Sequence, residues 1–301
     1  MLKKVLDPIK NIAESYVDDI AVYSGDVTKV NNEENEDWKR HLADLRVFFQ
    51  KILESGLTLN LKKSQFAKSE IKFVGHVVGS GWRRADSEKV DTIKSLRVPE
   101  TKRQVKQILG LFSYFREYIQ DFAKIAKPLT DLTSKRVPEH FPWGSAEQEA
   151  FEKLKELLIE ATINPLHVID CSKPFTILVD ACDYAVGGIL VQPACDNTEQ
   201  PVAFASCKLT PTQRRWPTIQ KEGYGIVWAL KKFKHWIFLG QITVVTDHCP
   251  LTYLTETAPK NAKLMRWLLA IQEFGNVTFK YKAGSLHSAP DCISRMVYKG
   301  D

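Results

Sequence analysis

The 301-residue chain is 44% hydrophobic, 26% charged and 10% aromatic, an ordinary globular composition with room for two or three domains. Its net charge of +6 and pI of about 8.8 make it only mildly basic. No run is long and apolar enough to span a bilayer and the N-terminus has no apolar signal core, so the expectation is an intracellular, non-secreted protein whose six cysteines, none in a C-x-x-C pair, are reduced and mostly buried.

Residues 1–80 open on SYVDDIAVYS (15–24), where apolar runs flank the adjacent acids Asp18 and Asp19. This is the pattern of a tight hairpin with carboxylates at its bend. WKRHLADLRVFFQKILESG (38–56) predicts an amphipathic helix with Leu42, Leu45, Phe48, Phe49, Ile52 and Leu53 at helical spacing and Gly56 as its C-cap. LTLNLKKSQFA (57–67) and IKFVGHVV (71–78) read as short strands, the second broken at Gly75.

Residues 86–136 read as all-helical. Thr101 and Gln104 form a capping box after Pro99, and Val105, Ile108, Phe112, Phe115 and Ile119 make one apolar stripe. Lys102, Arg103 and Lys106 fall in the first turns, where the helix dipole disfavours cations. They read either as a solvated face or as contacts to backbone phosphates. Residues 137–170 form a linker with one helix, EQEAFEKLKELLIEA, burying Phe151, Leu154, Leu157 and Leu158.

Residues 171–301 predict a separate α/β domain. Three strands, FTILVD, GGILVQ and PVAFAS, come in succession. A helix (219–233), a strand (241–247), a helix (263–274), a strand (277–284) and a terminal helix (288–296) follow. Strands first, then alternation with helices, indicate a mixed sheet with helices on its faces, so the fold class is α/β within a multidomain α+β chain. Charge is uneven along the chain. Residues 72–136 hold fourteen Lys/Arg against seven Asp/Glu, 137–170 two against seven, and 171–301 fifteen against ten. A polyanion touching both basic blocks and solvated helix faces are equally good readings of that pattern.

Four acids stand out in the last domain. Asp180 and Asp247 each end a strand, Glu222 lies on the helix between them, and Asp291 starts the last helix. Strands of one sheet bring their ends together, and clustered carboxylates repel unless a cation neutralises them. An all-oxygen donor set suits Mg²⁺, and two such ions clamp the attacking and leaving oxygens of a phosphodiester. Taken singly, each acid reads as a strand-end cap or a surface helix residue.

VDACDYAVGGILVQ, IQKEGYGIVWALKKFKHWIFLG, VVTDHCPL and SAPDCISR together closely resemble the ribonuclease H domain of gypsy-type LTR retrotransposon polyproteins. Upstream, YVDD resembles that family's polymerase hairpin and LNLKKSQFAKSEIKFVGHVV the end of its palm. PETKRQVKQILGLFSYFREYIQDFAKIAKPLTDLT resembles its thumb and FPWGSAEQEAFEKLKELLIEATINPL its connection. The resemblance covers essentially the whole chain. It implies the C-terminal part of a palm at 1–80, a thumb at 81–136, a connection at 137–170 and an RNase H-like domain at 171–301. That last domain would be a five-stranded mixed sheet flanked by helices.

The resemblance also implies roles. Asp180, Glu222, Asp247 and Asp291 would hold two Mg²⁺, with Mn²⁺ as a substitute, and hydrolyse the RNA strand of RNA/DNA hybrids. His248 follows Asp247 as the family pattern has it, and His287 is a looser candidate for a product-release histidine. Asp18 and Asp19 would be two of three palm carboxylates. The strand supplying the third would precede this chain, so polymerase activity is expected only in a longer polyprotein. Lys63 resembles the palm lysine that protonates pyrophosphate. Phe73, Val74, Gly75 and His76 resemble the turn that grips a primer end, and Gly110, Tyr114 and Arg116 lie on a thumb helix laid against duplex. The partners implied are RNA/DNA hybrid, primer–template duplex and the remaining polyprotein segments. The implied setting is cytoplasmic, with particles or the nucleus also open. One departure stands in the helix of Glu222. Gly223 and Gly225 replace larger apolar residues, each costing about 1 kcal/mol relative to Ala, which is expected to loosen the helix. A non-catalytic binding remnant and an unstable decayed product are the competing readings.

Overall fold

The acid-bearing stretch near the N-terminus folds as a hairpin, β1 (Ala13–Tyr16) and β2 (Asp19–Val22), preceded by α1 (Leu2–Leu6). The computed structural model describes residues 2–24, 34–194, 198–238, 240–246 and 262–281, and the chain divides into two compact units, Met1–Asp86 and Ser87–Asp301. In the first unit α2 (Glu34–Glu54) is followed by a meander of β3 (Ile71–Phe73), β4 (His76–Gly79) and β5 (Trp82–Ala85). Its core joins Leu6, Ile9, Ile12 and Ala13 to Phe48 and Ile52 of α2. The buried stripe of α2 is narrower than its apolar spacing predicts, since Leu42, Phe49 and Leu53 are exposed.

Residues 57–67 are not a strand. Leu57 and Leu59 pack against the core as alternation requires. The chain then turns back on Asn60, whose carbonyl accepts from the amides of Lys63 and Ser64 at 3.0 and 3.1 Å, so no ladder forms.

The second unit begins with α3 (Ser87–Lys94) and α4 (Lys102–Tyr114). The capping box forms as predicted. Thr101 Oγ1 accepts from the Gln104 amide at 3.3 Å, and Gln104 Oε1 accepts from the Thr101 amide at 3.2 Å. Val105, Ile108, Phe112, Phe115 and Ile119 are all buried, although the α-helix ends at Tyr114 and a 3-10 turn carries Arg116–Tyr118. Two short helices follow, α5 (Phe122–Ile125) and α6 (Lys127–Leu132), and then α7 (Ser145–Glu160). Phe151 of α7 meets Phe112 edge-on at 6.2 Å between ring centres.

After β6 (Leu166–His167) comes a five-stranded sheet. Its strands are β7 (Phe175–Ala181), β8 (Ala185–Pro193), β9 (Glu199–Lys208), β10 (Ile242–Thr246) and β11 (Val277–Tyr281), in the spatial order β11-β10-β7-β8-β9. The three leading strands are antiparallel neighbours, while β10 runs parallel to both β7 and β11, so the sheet is mixed. Among the described residues the helices of this region are α8 (Pro211–Arg214), α9 (Thr218–Ile237) and α10 (Ala262–Gln272). Alternation decides the faces of the sheet. Phe175, Ile177 and Val179 of β7 are buried in one core with Ile226, Ala229, Leu230, Phe233 and Ile237 of α9.

Gly223 and Gly225 are buried in α9. A Cβ on Gly225 would stand 3.1 Å from Val179 Cγ1 and 3.7 Å from Val186 Cγ1, so the missing side chain is what lets the helix lie close on β7 and β8. Gly225 thus has a packing role beside the propensity cost that Gly223 and Gly225 carry in the helix. Among the described residues, no helix is long and apolar enough to cross a membrane. The cysteine expectation is corrected. Cys171 is exposed and Cys182 and Cys207 are only half-buried, while Cys195, Cys249 and Cys292 lie outside the described residues. Gly225→Val should overpack the α9–β7 contact and destabilise the chain by about 1–3 kcal/mol, read as a lower urea midpoint with an unchanged slope.

Candidate functional site

Asp180 is the penultimate residue of β7 and its side chain is exposed. It pairs across the hairpin with Gly187, and Gly187 pairs with Ser206 of β9, so the three share one face of the sheet. The neighbouring row, Val179 and Gly188, faces α9, where a Cβ on Gly188 would meet Ala229 and Phe233. From Gly225 at Val179, through Ala229 and Phe233 at Gly188, to Gly240 at Phe175, the chain of α9 and its exit runs back along β7. Glu222, one turn before Gly225, therefore lies toward the end of β7 that carries Asp180. Its carboxylate is 2% exposed. The neighbouring strand β10 ends at Thr246, immediately before Asp247 in sequence. Asp247, His248, His287 and Asp291 lie outside the described residues.

The face of the sheet away from α9 is covered by the segment after α4. The Ala123 amide donates to Ser206 Oγ at 2.8 Å, and the Arg116 guanidinium donates to the Ser206 carbonyl. Asp121 has φ +54°, and its Oδ1 would lie 3.1 Å from a Cβ placed on Gly187. Burial pushes the Asp121 carboxyl above its ordinary value, Lys124 opposes this, and the negative charge of Asp180 adds to it. On the α9 side, Lys221 Nζ donates to Asp183 Oδ1 at 2.7 Å. That bond holds the Asp183 carboxyl below its ordinary value.

Asp121, Asp183, Lys221 and Ser206 are absent from the sequence-derived site. Asp183 and Lys221 were readable as neighbours of Asp180 and Glu222, but nothing in their spacing shows that they pair. Asp121 is remote in sequence and is brought in only by the packing of α5 on the sheet. Arg116 is corrected. It leaves α4 for the 3-10 turn and is committed to Ser206, so it does not lie on a helix face open to duplex.

In the first unit Asp18 and Asp19 are both exposed at the β1–β2 turn. Asp18 stands in the two-residue bend after Val17, and Asp19 opens β2 paired with Tyr16. Gly75 and Val74 form the β3–β4 turn with φ of +71° and +50°, and His76 pairs with Phe73. Lys63 is exposed in the loop after Asn60. In the second unit Lys102, Arg103 and Lys106 line a surface depression of ≈ 360 Å³ with Gln107 and Glu139. Lys102 Nζ donates to the Ser134 carbonyl at 2.7 Å, while Arg103 and Lys106 are exposed. Gly110, further along α4, faces open space.

Two family descriptions match the chain in order. Residues 1–78 match the reverse transcriptase (RNA-dependent DNA polymerase) family, and residues 170–274 match the RNase H-like domain found in reverse transcriptase. The second match spans Asp180, Glu222 and Asp247 and ends before Asp291. Together these define a reverse transcriptase segment joined to an RNase H-like domain.

The relatives identify its origin. The chain is 33% identical over 300 residues to the retrovirus-related Pol polyprotein from transposon opus of Drosophila melanogaster, covering 96% of this chain and 28% of that protein. It is 29% identical to the Pol polyprotein from transposon gypsy of the same organism (96% and 27%) and 29% identical to the transposon Tf2-3 polyprotein of Schizosaccharomyces pombe (94% and 20%). It thus spans between a fifth and three tenths of the length of these relatives, and it belongs with the Pol polyproteins of gypsy-type LTR retrotransposons. Part of foamy viral protease-reverse transcriptase is similar in fold to this chain. Its complex with RNA/DNA hybrid superposes with a TM-score of 0.75 at 26% identity, covering 93% of this chain and 37% of that one. Its complex with dsDNA gives 0.74 at 27%, covering 93% and 56%.

The Asp121 environment has a pH signature. An acid whose pKa is raised on folding stabilises the fold below its unfolded value, near 3.9, and that contribution is lost as pH rises through the folded value. Asp121→Asn, which tolerates the left-handed backbone, should therefore be more stable than the parent at neutral pH. It should also lose the decline in stability above about pH 4, as read from urea unfolding across pH.

Proposed function

We propose that the unit containing the five-stranded sheet hydrolyses the RNA strand of RNA/DNA hybrids, and that the chain is the palm, thumb, connection and RNase H portion of a longer Pol polyprotein. The observation that supports this is that Asp180 stands at the end of β7, on the face away from α9, while the buried Glu222 lies on α9 toward that same end, beside the strand that leads into Asp247. Among the described residues no three metal-binding side chains cluster, since two of the four acids lie outside them. The donor chemistry fits a divalent cation nonetheless. Glu222 is 2% exposed, and Asp180 is an exposed aspartate whose negative charge is felt by Asp121; such carboxylates are oxygen donors that suit a hard cation. Asp180, Glu222, Asp247 and Asp291 would hold two Mg²⁺ or Mn²⁺ ions, which when bound stabilise the charge that develops on a phosphodiester.

The chain's own residues have distinct tasks. The packing of α9 on β7 fixes Glu222 relative to Asp180. His248 and His287 are assigned to proton handling and product departure beside the acids. Asp18 and Asp19 supply part of a palm metal shell, with Lys63, Gly75 and His76 toward the primer and nucleotide. Arg103 and Lys106, with Lys102 tethered to Ser134, meet backbone phosphates. Recognition of the hybrid is then by shape and 2′-OH groups, with slight sequence preference. An intracellular setting is part of this reading; among the described residues Cys171, Cys182 and Cys207 are free thiols.

Three outcomes follow in solution. The chain should cut hybrid RNA in Mg²⁺ and not in EDTA, and Asp180→Asn should abolish cutting without unfolding, because it removes charge from a repulsive cluster. Equal cutting by parent and variant would refute the assignment. Primer extension on an RNA template should be absent, and incorporation lost on Asp18→Ala would show a complete polymerase site. Changing Arg103 and Lys106 together to Ala should weaken hybrid binding alike for all sequences and flatten its salt dependence; an unchanged salt slope would return them to the solvated face.

A further inference from the structure

Lys221 is an unusual place for a cation. It is 5% exposed, directly precedes Glu222, and stands in the first turns of α9, where the helix dipole disfavours positive charge. Removing an ammonium from water at that end of a helix is unfavourable on both counts. Its Nζ meets Asp183 Oδ1 at 2.7 Å. Asp183 lies in the three-residue loop between β7 and β8, three positions after Asp180. That loop is fixed on both sides. The Cys182 amide donates to the Ala185 carbonyl at 2.9 Å, and the Leu209 amide donates to the Tyr184 carbonyl at 2.7 Å. Each partner is therefore within three residues of one of the two described carboxylates, and they meet across the gap between helix and hairpin.

We propose that the Lys221–Asp183 ion pair is a positioning device that ties the first turns of α9 to the β7–β8 loop and so sets the spacing of Glu222 from Asp180. The role rests on the hydrolase reading given above. Neither residue touches the scissile phosphate in this account; both act through the carboxylates beside them. The competing role is electrostatic only, with Lys221 tempering the acids and Asp183 adding to them. The two roles differ in sign. Electrostatics alone requires that loss of the cation tighten Mg²⁺ binding and loss of the anion weaken it. Positioning requires that both losses act in the same direction, because either one opens the same tie.

The test uses the full chain with Lys221→Met, Asp183→Asn, the double variant and Lys221→Arg, and the urea midpoint of each establishes folding. Three readouts are taken. They are kcat and KM on a labelled hybrid, the Mg²⁺ concentration for half-maximal rate, and the rise in melting temperature that Mg²⁺ produces without substrate. Both single variants should lower kcat about 10-fold with KM unchanged, as expected for a small misplacement of reacting groups. Both should need more Mg²⁺ and lose Mg²⁺-dependent stabilisation. The double variant should be no worse than either single, since the pair is one coupled unit, and Lys221→Arg should retain activity.

Opposite Mg²⁺ shifts in the two single variants, additive losses in the double, or a parental kcat in Lys221→Met would each overturn the proposal. A parent chain that leaves hybrid intact, while both singles still lose Mg²⁺ stabilisation, would overturn the hydrolase reading and support the tie between the carboxylates.

Discussion

The close approach of α9 to strands β7 and β8 is the constraint on which the candidate site depends. Two glycines make it possible, one on each side. A Cβ on Gly225 would meet Val179 at 3.1 Å, and a Cβ on Gly188 would meet Ala229 at 3.3 Å. These distances are tighter than ordinary van der Waals contact, so the backbones approach as far as side-chain-free positions permit. Glu222 is carried on the turn before Gly225, and Asp180 directly follows Val179. Core packing one turn away thus sets how closely α9 approaches the sheet, and the Lys221–Asp183 pair acts on the carboxylates within that limit. A leucine at position 225 would gain propensity and could not be accommodated at this approach, since even its Cβ would stand 3.1 Å from Val179 Cγ1.

The opposite face of the same strands is held just as specifically. Ser206 accepts from the Ala123 amide through its hydroxyl and from Arg116 through its carbonyl. Lys208, two residues on, meets Asp131 of α6, which Lys127 also reaches at 3.1 Å. The segment 115–132 is therefore joined to β9 by polar contacts as well as by buried Phe115, Ile119 and Phe122. This explains why residues 87–301 form one unit although the chain pattern suggests three pieces. Separation into thumb, connection and RNase H segments follows the order of motifs along the sequence; compactness follows the contacts, and the contacts cross those boundaries.

Much of this was legible before any coordinates. The strands of the sheet, α4 with its capping box, α7 and α9 all follow from apolar pattern and cap chemistry: β7 alternates, β8 and β9 are apolar runs buried on both faces, and the helices carry apolar stripes. What failed has identifiable physical causes. Residues 57–67 alternate like a strand, but a turn at Asn60 captures the amides that a ladder would need. The apolar spacing on α2 exceeds its core, leaving Leu53 75% exposed. The packing role of Gly225 was not legible, because helix propensity is local whereas the space beside it is tertiary. The candidate acids Asp180 and Glu222 were visible from their positions at a strand end and on the next helix. Asp121 was not, since only the packing of α5 on the sheet brings it over Gly187.

The two hairpins of the first unit carry strain of a telling kind. Val17 has φ +54° and Val74 has φ +50°. Positive φ is costly for a β-branched residue, of order 1–3 kcal/mol each, and glycine or asparagine would adopt it freely. The tight turns require that backbone sign, because the right-handed twist of the flanking strands selects it. Nothing in turn chemistry selects valine. The core cluster beside the first hairpin, Leu6, Ile9, Ile12, Ala13, Phe48 and Ile52 among the described residues, is modest. Yet the strained residues flank the groups assigned to the metal shell and the primer end. Val17 directly precedes Asp18 and Asp19, and Val74 with Gly75 precedes His76. The strain therefore lies at the two turns that carry the residues proposed for the metal shell and the primer end, where glycine or asparagine would serve the backbone better.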